Sequence, residues 1–212
     1  MNYEVVASGS SGNCVVIENV MIDCGISYSR LKEYLWEVDY LIITHIHSDH
    51  LRETTYERIR KQFPNISVIS NWQVAQKLNG DVDFVVDIGE VTEIGEYSFE
   101  TFNAIHDVVN CGYCWQIEEN GELLDIIYCT DTEDLKYAPD REFDYFFLES
   151  NHDENILNAI KRDAKKKYGY DAYAHGIRHC STQKCKAYYY KHRKSKESEL
   201  IELHKSSRFY KW

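Results

Sequence analysis

The chain has 212 residues, of which 43% are hydrophobic and two are proline, and its formal net charge is −11. These values are typical of an ordinary globular protein and allow a single domain over residues 1–212 with a well-buried core. No run of about 18 apolar residues is present, and the N-terminus lacks the basic start and apolar core of a signal peptide, so we expect a cytoplasmic protein with no membrane partner.

The predicted elements alternate between strands and helices. In the first half we expect strands at 4–7, 14–18, 20–23, 40–44, 66–70 and 84–86, and helices at 27–36, 51–63 and 71–78. In the second half we expect strands at 97–105, 111–118, 122–129, 143–148 and 199–203, and helices at 153–167 and 181–192. Residues 119–121, Glu-Asn-Gly, predict a hairpin turn. The pattern predicts two mixed β-sheets covered by helices.

The cysteines form an odd set of seven, and most of them lie within apolar, strand-like runs. Such a set suits reduced thiols in a cytosol better than a disulfide framework. Cys111 and Cys114 form a CxxC pair. Without a second such pair, two buried strand cysteines are favoured over a zinc site.

Charge is segregated along the chain. Residues 1–160 contain 9 basic and 30 acidic side chains, whereas the basic C-terminal part, residues 161–212, contains 15 basic and 5 acidic ones. In this basic part Lys191, Arg193 and Lys194 follow three consecutive tyrosines, a composition that can neutralise phosphates and stack bases. A solvated helix face is the alternative interpretation of such lysines, and both stay open at this point.

The most informative segment is 44–50, Thr-His-Ile-His-Ser-Asp-His, which directly follows an apolar run. Residues two apart in an extended chain point to the same side, so His45 and His47 can bind one metal ion. A turn would then direct Asp49 and His50 to a second ion about 3.5–4 Å from the first, as in two-metal hydrolases. Four potential ligands within six residues after a strand indicate a metal site rather than surface polarity.

Further candidate ligands follow later predicted strands. His106 follows the strand at 97–105, Asp131 follows the strand at 122–129, and His204 ends the last apolar strand. A carboxylate can bridge two ions through its two oxygens, which a neutral imidazole cannot do. Asp131 is therefore favoured as a bridging ligand.

The ordered set of these residues, together with Asp23, resembles the metallo-β-lactamase superfamily. That resemblance implies an α/β (α+β) fold, the four-layer αββα metallo-β-lactamase sandwich. Residues 9–13, 22–25, 149–153 and 179–181 resemble the YycJ-like nuclease family, relatives of ribonuclease Z, and the resemblance covers nearly the full length. It implies two divalent metal ions, with zinc favoured and manganese or iron possible.

The resemblance also implies a ligand set. One ion would be bound by His45, His47 and His106, the other by Asp49, His50 and His204, with Asp131 between them. Asp23 would orient a ligand without touching the metal. Residues 203–210 resemble the final ligand motif of ribonuclease Z relatives, which favours His204 as ligand. The alternative makes His179 the ligand and His204 structural.

With His204 on the metal, His179 would lie near the scissile phosphate and Glu149 would orient and charge it. Asp49, His179 and Glu149 are then the predicted catalytic residues. An imidazolium held by a carboxylate can stabilise a phosphate oxyanion or protonate the leaving oxygen. The predicted substrate-binding residues are Asn151, His152, Ser206, Arg208, Lys191, Arg193 and Lys194.

Two ions sharing a water would supply hydroxide at neutral pH, and Asp49 can accept the proton. The absence of an export signal and the presence of Asp49 argue against a secreted lactamase. We expect a metal-dependent phosphodiesterase acting on a phosphodiester substrate, as a DNA or RNA exonuclease. The alternatives are a cyclic-nucleotide phosphodiesterase, a thioester hydrolase of the glyoxalase type, and a degenerate fold used only for binding. The content of 17 tyrosines would suit a homodimer interface.

Overall fold

The computed structural model describes residues 1–161 and 171–206. The chain divides into two compact units, the first Met1–Glu90 with Val108–Cys111, the second Val91–Asp107 with Gly112–Trp212. Each unit carries one six-stranded mixed β-sheet. The prediction of an α/β fold with two mixed sheets and helices is thus confirmed, whereas one domain over 1–212 stays a prediction.

The first unit contains the strands β1 Tyr3–Ala7, β2 Cys14–Ile17, β3 Val20–Ile22, β4 Tyr40–Ile43, β5 Ser67–Ser70 and β6 Phe84–Val85. Its helices are α1 Tyr28–Leu31, a 3-10 helix Tyr34–Trp36, α2 Glu53–Gln62 and α3 Trp72–Lys77. The strands lie in the order β1 to β6, antiparallel from β1 to β3 and parallel from β3 to β6.

The core of the first unit packs helices on this sheet. Tyr56 and Ile59 of α2 are three residues apart, which places both on one helix face, and they are buried in the same apolar cluster as Leu41 of β4. All four residues of β4 are buried, as expected for a parallel strand covered on both faces. The histidine motif therefore begins directly after the buried carboxyl end of β4, at Ile43.

The second unit contains the strands β7 Val91–Ile94, β8 Tyr97–Ala104, β9 Asn110–Glu119, β10 Glu122–Cys129, β11 Tyr145–Glu149 and β12 Glu199–Leu203. Its helices within the described residues are α4 Glu154–Ile160, α5 Ala172–Gly176 and α6 Thr182–His192. The strand order is β12-β11-β10-β9-β8-β7.

Three neighbouring strands of the second sheet run parallel and end at one edge. β11 lies between β10 and β12, with Cys129 beside Leu148 and Glu149 beside Leu203. On one face the helix α6 covers them, because Cys185 lies in the same apolar cluster as Phe146 of β11. The residues that follow these strand ends are consequently brought together, and two of them, Asp131 and His204, were predicted to bind metal.

Local signals explain most element boundaries. The turn between β9 and β10 is confirmed, since Asn120 and Gly121 have φ angles of 54° and 83°, the left-handed values that a type I′ hairpin requires. Ser181 caps α6, as its hydroxyl accepts a hydrogen bond from the Lys184 N–H at 3.1 Å. The predicted helix at 27–36 is instead α1 followed by a 3-10 turn.

Two elements of the described part of the chain were not predicted, β7 and α5. The predicted helix at 153–167 is observed as α4, and its part from 162 onward lies outside the described residues. All seven cysteines lie within the described residues and are buried thiols that form no disulfide there, as predicted. Among residues 1–161 and 171–206, the helices are all too short or too polar to span a bilayer.

Candidate metal centre

The motif after β4 forms a compact group within the first unit. His45 and His50 are fully buried, and their ring centroids lie 4.0 Å apart. His45 Nε2 lies 3.2 Å from His47 Nδ1, and His50 Nε2 lies 3.9 Å from an oxygen of Asp49. The four predicted donors of the motif are therefore gathered at the end of one buried strand.

Asp23 directly follows β3, and its carboxylate contacts this group of histidines. Its Oδ2 lies 2.6 Å from His50 Nδ1, and its Oδ1 accepts a hydrogen bond from the Thr44 backbone N–H at 2.8 Å. The Thr44 hydroxyl also lies 3.0 Å from His45 Nδ1. A carboxylate at Nδ1 fixes the imidazole tautomer and leaves Nε2 of His50 as the atom able to bind a metal.

Asn13 also contacts the motif, although the sequence did not single it out. Its Nδ2 lies 2.8 Å from His50 Nε2 and 3.2 Å from the Asp49 carbonyl oxygen. Its Oδ1 accepts a hydrogen bond from the Gly9 N–H at 2.7 Å, so the side chain ties the loop before β2 to the motif. The glycine-rich composition of residues 9–13 was the available sequence signal.

A second group of donors lies within the second unit, at the ends of β10, β11 and β12. Ligand atoms of Asp131, Glu149, His179 and His204 all lie within 4.8 Å of one another. His179 Nδ1 is 2.7 Å from Glu149 Oε1 and 3.2 Å from Asp131 Oδ1. His204 approaches the same two carboxylates, with Nδ1 3.2 Å from Glu149 and Nε2 3.4 Å from Asp131.

The two histidines of this group stack with ring centroids 5.2 Å apart. Burial opposes the charged form of His179, but the adjacent Glu149 carboxylate and hydrogen bonds to Asp131 and Glu149 outweigh it and raise its pKa to about 10. Burial likewise opposes the charged form of His204, and the same carboxylates outweigh it and raise the pKa. Buried Glu149 also accepts a hydrogen bond from the Thr132 N–H at 2.8 Å.

His106 follows β8 in the second unit, as predicted from its position after a strand. Its side chain is 7% exposed, and Nε2 lies 3.3 Å from an oxygen of Asp107. The ring centroid is 6.1 Å from that of His179. His106 is therefore close to the second group of donors without belonging to its hydrogen-bonded core.

Three of the candidate site residues have an unusual backbone conformation. Asp23, Asp131 and His204 have φ angles of 64°, 50° and 52°, in the left-handed region that L-residues rarely adopt. Such conformations persist where the surroundings impose them, and they concentrate at functional sites. Asp23 and His204 directly follow the ends of β3 and β12, and Asp131 follows the end of β10 after one residue, at points where the chain has to turn sharply.

The predicted substrate-binding residues have varied surroundings. Asn151 Nδ2 donates a hydrogen bond to the His204 carbonyl oxygen at 2.9 Å, and the Ser206 N–H donates to the Asn151 carbonyl oxygen at 2.9 Å. His152 is 4% exposed. Asn151 thus fixes the segment that carries His204, and Arg208 lies outside the described residues.

The basic side chains at the end of α6 contact acidic and aromatic side chains on the surface of the second unit. Lys191 Nζ lies 2.9 Å from Asp140, and Lys194 Nζ lies 3.0 Å from Asp144. The Arg193 guanidinium lies 5.1 Å from the centre of the Tyr190 ring. The Lys191–Asp140 pair is largely exposed, and such pairs are weak because solvent screens them.

The chemistry of both donor groups fits divalent metal ions. The first unit offers imidazoles and the Asp49 carboxylate, and the second offers imidazoles with the carboxylates of Asp131 and Glu149. Nitrogen and oxygen donors of these types are accepted by zinc, manganese and iron.

Comparison with known proteins agrees with this chemistry. The family profile described as Metallo-beta-lactamase superfamily matches residues 7–69. Exodeoxyribonuclease YycJ of Bacillus anthracis is 25% identical over 178 residues, covering 74% of this chain and 65% of that protein. Exodeoxyribonuclease WalJ of Streptococcus pneumoniae is 27% identical over 180 residues with the same coverage. The match thus spans about 65% of the length of these curated relatives.

A solved structure supports the fold. The crystal structure of human tRNase Z, short form, superposes with a TM-score of 0.63 at 16% identity, covering 98% of this chain and 94% of that chain. The chain therefore has the metallo-β-lactamase fold, and its resemblance to that superfamily and to the YycJ-like branch related to ribonuclease Z is confirmed.

Proposed function

We propose that this chain is a metal-dependent phosphodiesterase that acts as an exonuclease on DNA or RNA. The observation that carries the proposal is the pairing of His179 with the buried Glu149 carboxylate at 2.7 Å. A carboxylate-held imidazolium suits a phosphate oxygen or a leaving oxygen on which negative charge develops. A β-lactam or a thioester contains no phosphate with which His179 and Glu149 could interact. The exodeoxyribonuclease relatives support a DNA substrate.

We propose two divalent ions, with zinc favoured, as the cofactors. When bound, two such ions lower the pKa of a water molecule towards about 7 and neutralise charge on a phosphodiester. The assignment rests on the resemblance and on the donor chemistry within each unit. The proposed ligands are His45, His47 and His106 for one ion, Asp49, His50 and His204 for the other, and Asp131 for both.

The residues of the chain have separate proposed roles. The Asp49 carboxylate accepts the proton of the attacking water. Asp23 holds Nδ1 of His50, so that Nε2 is the ring nitrogen that would bind metal in place of its contact with Asn13. His179 donates a proton or hydrogen bond from Nε2, because its Nδ1 is held by Glu149. A positioned general acid of this kind contributes about 10²- to 10⁴-fold to a rate.

The test is a substrate panel with metal-reconstituted protein. We expect release of mononucleotides from 5′-phosphorylated DNA or RNA, abolished by a chelator and by Asp49→Ala but not by Asp39→Ala, a matched change at an exposed aspartate of the same unit. Cleavage of cyclic nucleotides alone would favour the cyclic-nucleotide enzyme, and cleavage of a thioester alone would favour the glyoxalase type. No hydrolysis in any arm would refute the proposal and leave a binding-only fold.

The basic end of α6 is proposed to contact the nucleic-acid backbone. Replacing Lys191, Arg193 and Lys194 together by alanine should weaken DNA binding and flatten its salt dependence, since each lost phosphate contact reduces the slope by about 0.7–0.9. The control variant replaces Lys32 and Lys61, which are exposed in the first unit. Equal binding by both variants would count against this contact. A cytoplasmic location and a homodimer stay predictions.

A further inference from the structure

A cavity of about 240 Å³ opens beside His179 in the second unit. Leu157 and Asn158 of α4 form part of its wall, and Ile177, directly after α5, forms another part. Pockets for drug-sized ligands usually measure about 300–1,000 Å³. The cavity is therefore small, and it suits a group of the size of one nucleoside rather than a stretch of strand.

The apolar part of the wall fits a planar base. Leu157 is 3% exposed and packs against the helix α5, where a Cβ on Gly176 would lie 2.6 Å from its Cδ1. Ile177 is 47% exposed. A base seated in the cavity would cover the side chain of Ile177, which is apolar surface that otherwise faces water.

The polar part of the wall favours an uncharged ligand. Glu133 and Glu154 both line the cavity, and Glu154 already accepts a hydrogen bond from the Ser181 hydroxyl at 2.6 Å. The one lysine in the wall, Lys184, is held by the Glu133 carbonyl oxygen at 2.9 Å and by Asp134 at 3.1 Å. Carboxylates repel a phosphate, but they accept hydrogen bonds from exocyclic amines and sugar hydroxyls.

We propose that this cavity binds the terminal nucleoside of the substrate strand, with its phosphate at His179. The inference rests on the proposed phosphodiesterase function and deepens it. A strand that continued through the cavity would bring a second phosphate to a wall that carries Glu133 and Glu154. The chain therefore removes nucleotides one at a time from an end instead of cutting within a strand.

Two chromogenic diesters test the proposal. One is the p-nitrophenyl ester of thymidine 5′-phosphate, and the other is methyl p-nitrophenyl phosphate, which carries a methyl group in place of the nucleoside. We expect metal-reconstituted protein to prefer the nucleoside ester in kcat/KM. Ile177→Asp should reduce that preference at least tenfold, and Asn158→Leu should reduce it as well. Ile88→Asp, at an aliphatic residue of the first unit that is 41% exposed, should leave it unchanged.

Each result has a distinct meaning. Equal kcat/KM for the two esters, or an unchanged preference in both cavity variants with normal thermal unfolding, overturns the subsite. If neither ester is hydrolysed, the proposed function fails, and equilibrium binding of thymidine 5′-monophosphate decides the subsite alone. Binding that is lost in Ile177→Asp and kept in Ile88→Asp supports it, whereas no binding by the unchanged chain refutes it.

Discussion

Gly25 is the position where the smallest possible substitution should have the largest effect on the histidine motif. A Cβ at Gly25 would lie 1.7 Å from the Asp49 carbonyl oxygen and 2.7 Å from the His50 nitrogen. Both neighbours are backbone atoms, which cannot rotate away. Gly25→Ala therefore has to separate the segment after β3 from the segment that carries Asp49 and His50.

The cost follows from what that separation breaks. Overpacking a well-packed site costs about 1–3 kcal/mol. Two backbone hydrogen bonds would also lengthen, from the Cys24 N–H to the His50 carbonyl oxygen at 2.9 Å and from the Asn13 N–H to the Asp49 carbonyl oxygen at 2.7 Å. Each contributes about 1 kcal/mol. We expect the free energy of unfolding to fall by about 3–5 kcal/mol.

Denaturant and thermal unfolding of the metal-free protein measure this loss. For a chain of this length it corresponds to a fall in Tm of roughly 6–20 °C. Gly80→Ala is the control, because a Cβ there meets nothing within 4 Å and only its φ of 83° costs energy, about 1–2 kcal/mol. A loss below about 1 kcal/mol in Gly25→Ala, with unaltered zinc affinity, would refute the close contact between these segments.

Three further changes have defined outcomes. Asp23→Asn should lower zinc affinity about 10- to 100-fold by calorimetry while the far-ultraviolet spectrum stays unchanged, because the carboxylate that orients His50 is lost. Leu148→Ala, at a fully buried residue of β11, should reduce the free energy of unfolding by about 2–5 kcal/mol. Asp153 caps α4, and a hydrogen bond from the Ile156 N–H lowers its pKa, so its stabilisation is present above the ordinary pKa and is lost as pH falls through the lowered value. Asp153→Ala should therefore destabilise the protein at pH 7, and the difference in Tm from the unchanged chain should shrink in acid.

The fold could be predicted wherever the signal was local. Asn120 and Gly121 predict their turn because few other residue pairs adopt left-handed backbone without cost. β7 was not predicted. It is an edge strand whose Val91 is 60% exposed, and the sequence of such a strand is difficult to distinguish from that of a surface loop. Periodicity also does not separate an α-helix from a 3-10 helix, since Tyr28, Leu31 and Leu35 are buried with spacings of three and four.

The candidate site was harder to predict from the sequence, because its residues are brought together only by the tertiary structure. Position after a strand was enough to select Asp131 and His204, since the parallel strands β10, β11 and β12 end at one edge. It did not separate His204 from His179, and the reason is visible in the second unit. Both imidazoles contact both Glu149 and Asp131, so their surroundings do not distinguish the proposed metal ligand from the proposed acid.

The buried cysteines determine how this protein can be labelled for spectroscopy. Maleimide and methanethiosulfonate reagents react with the thiolate, and burial raises the pKa of Cys111 and Cys185 to about 12. The other five thiols are also buried in the folded chain. A single cysteine introduced at an exposed position should therefore carry a fluorophore or a spin label selectively, with the native set left in place.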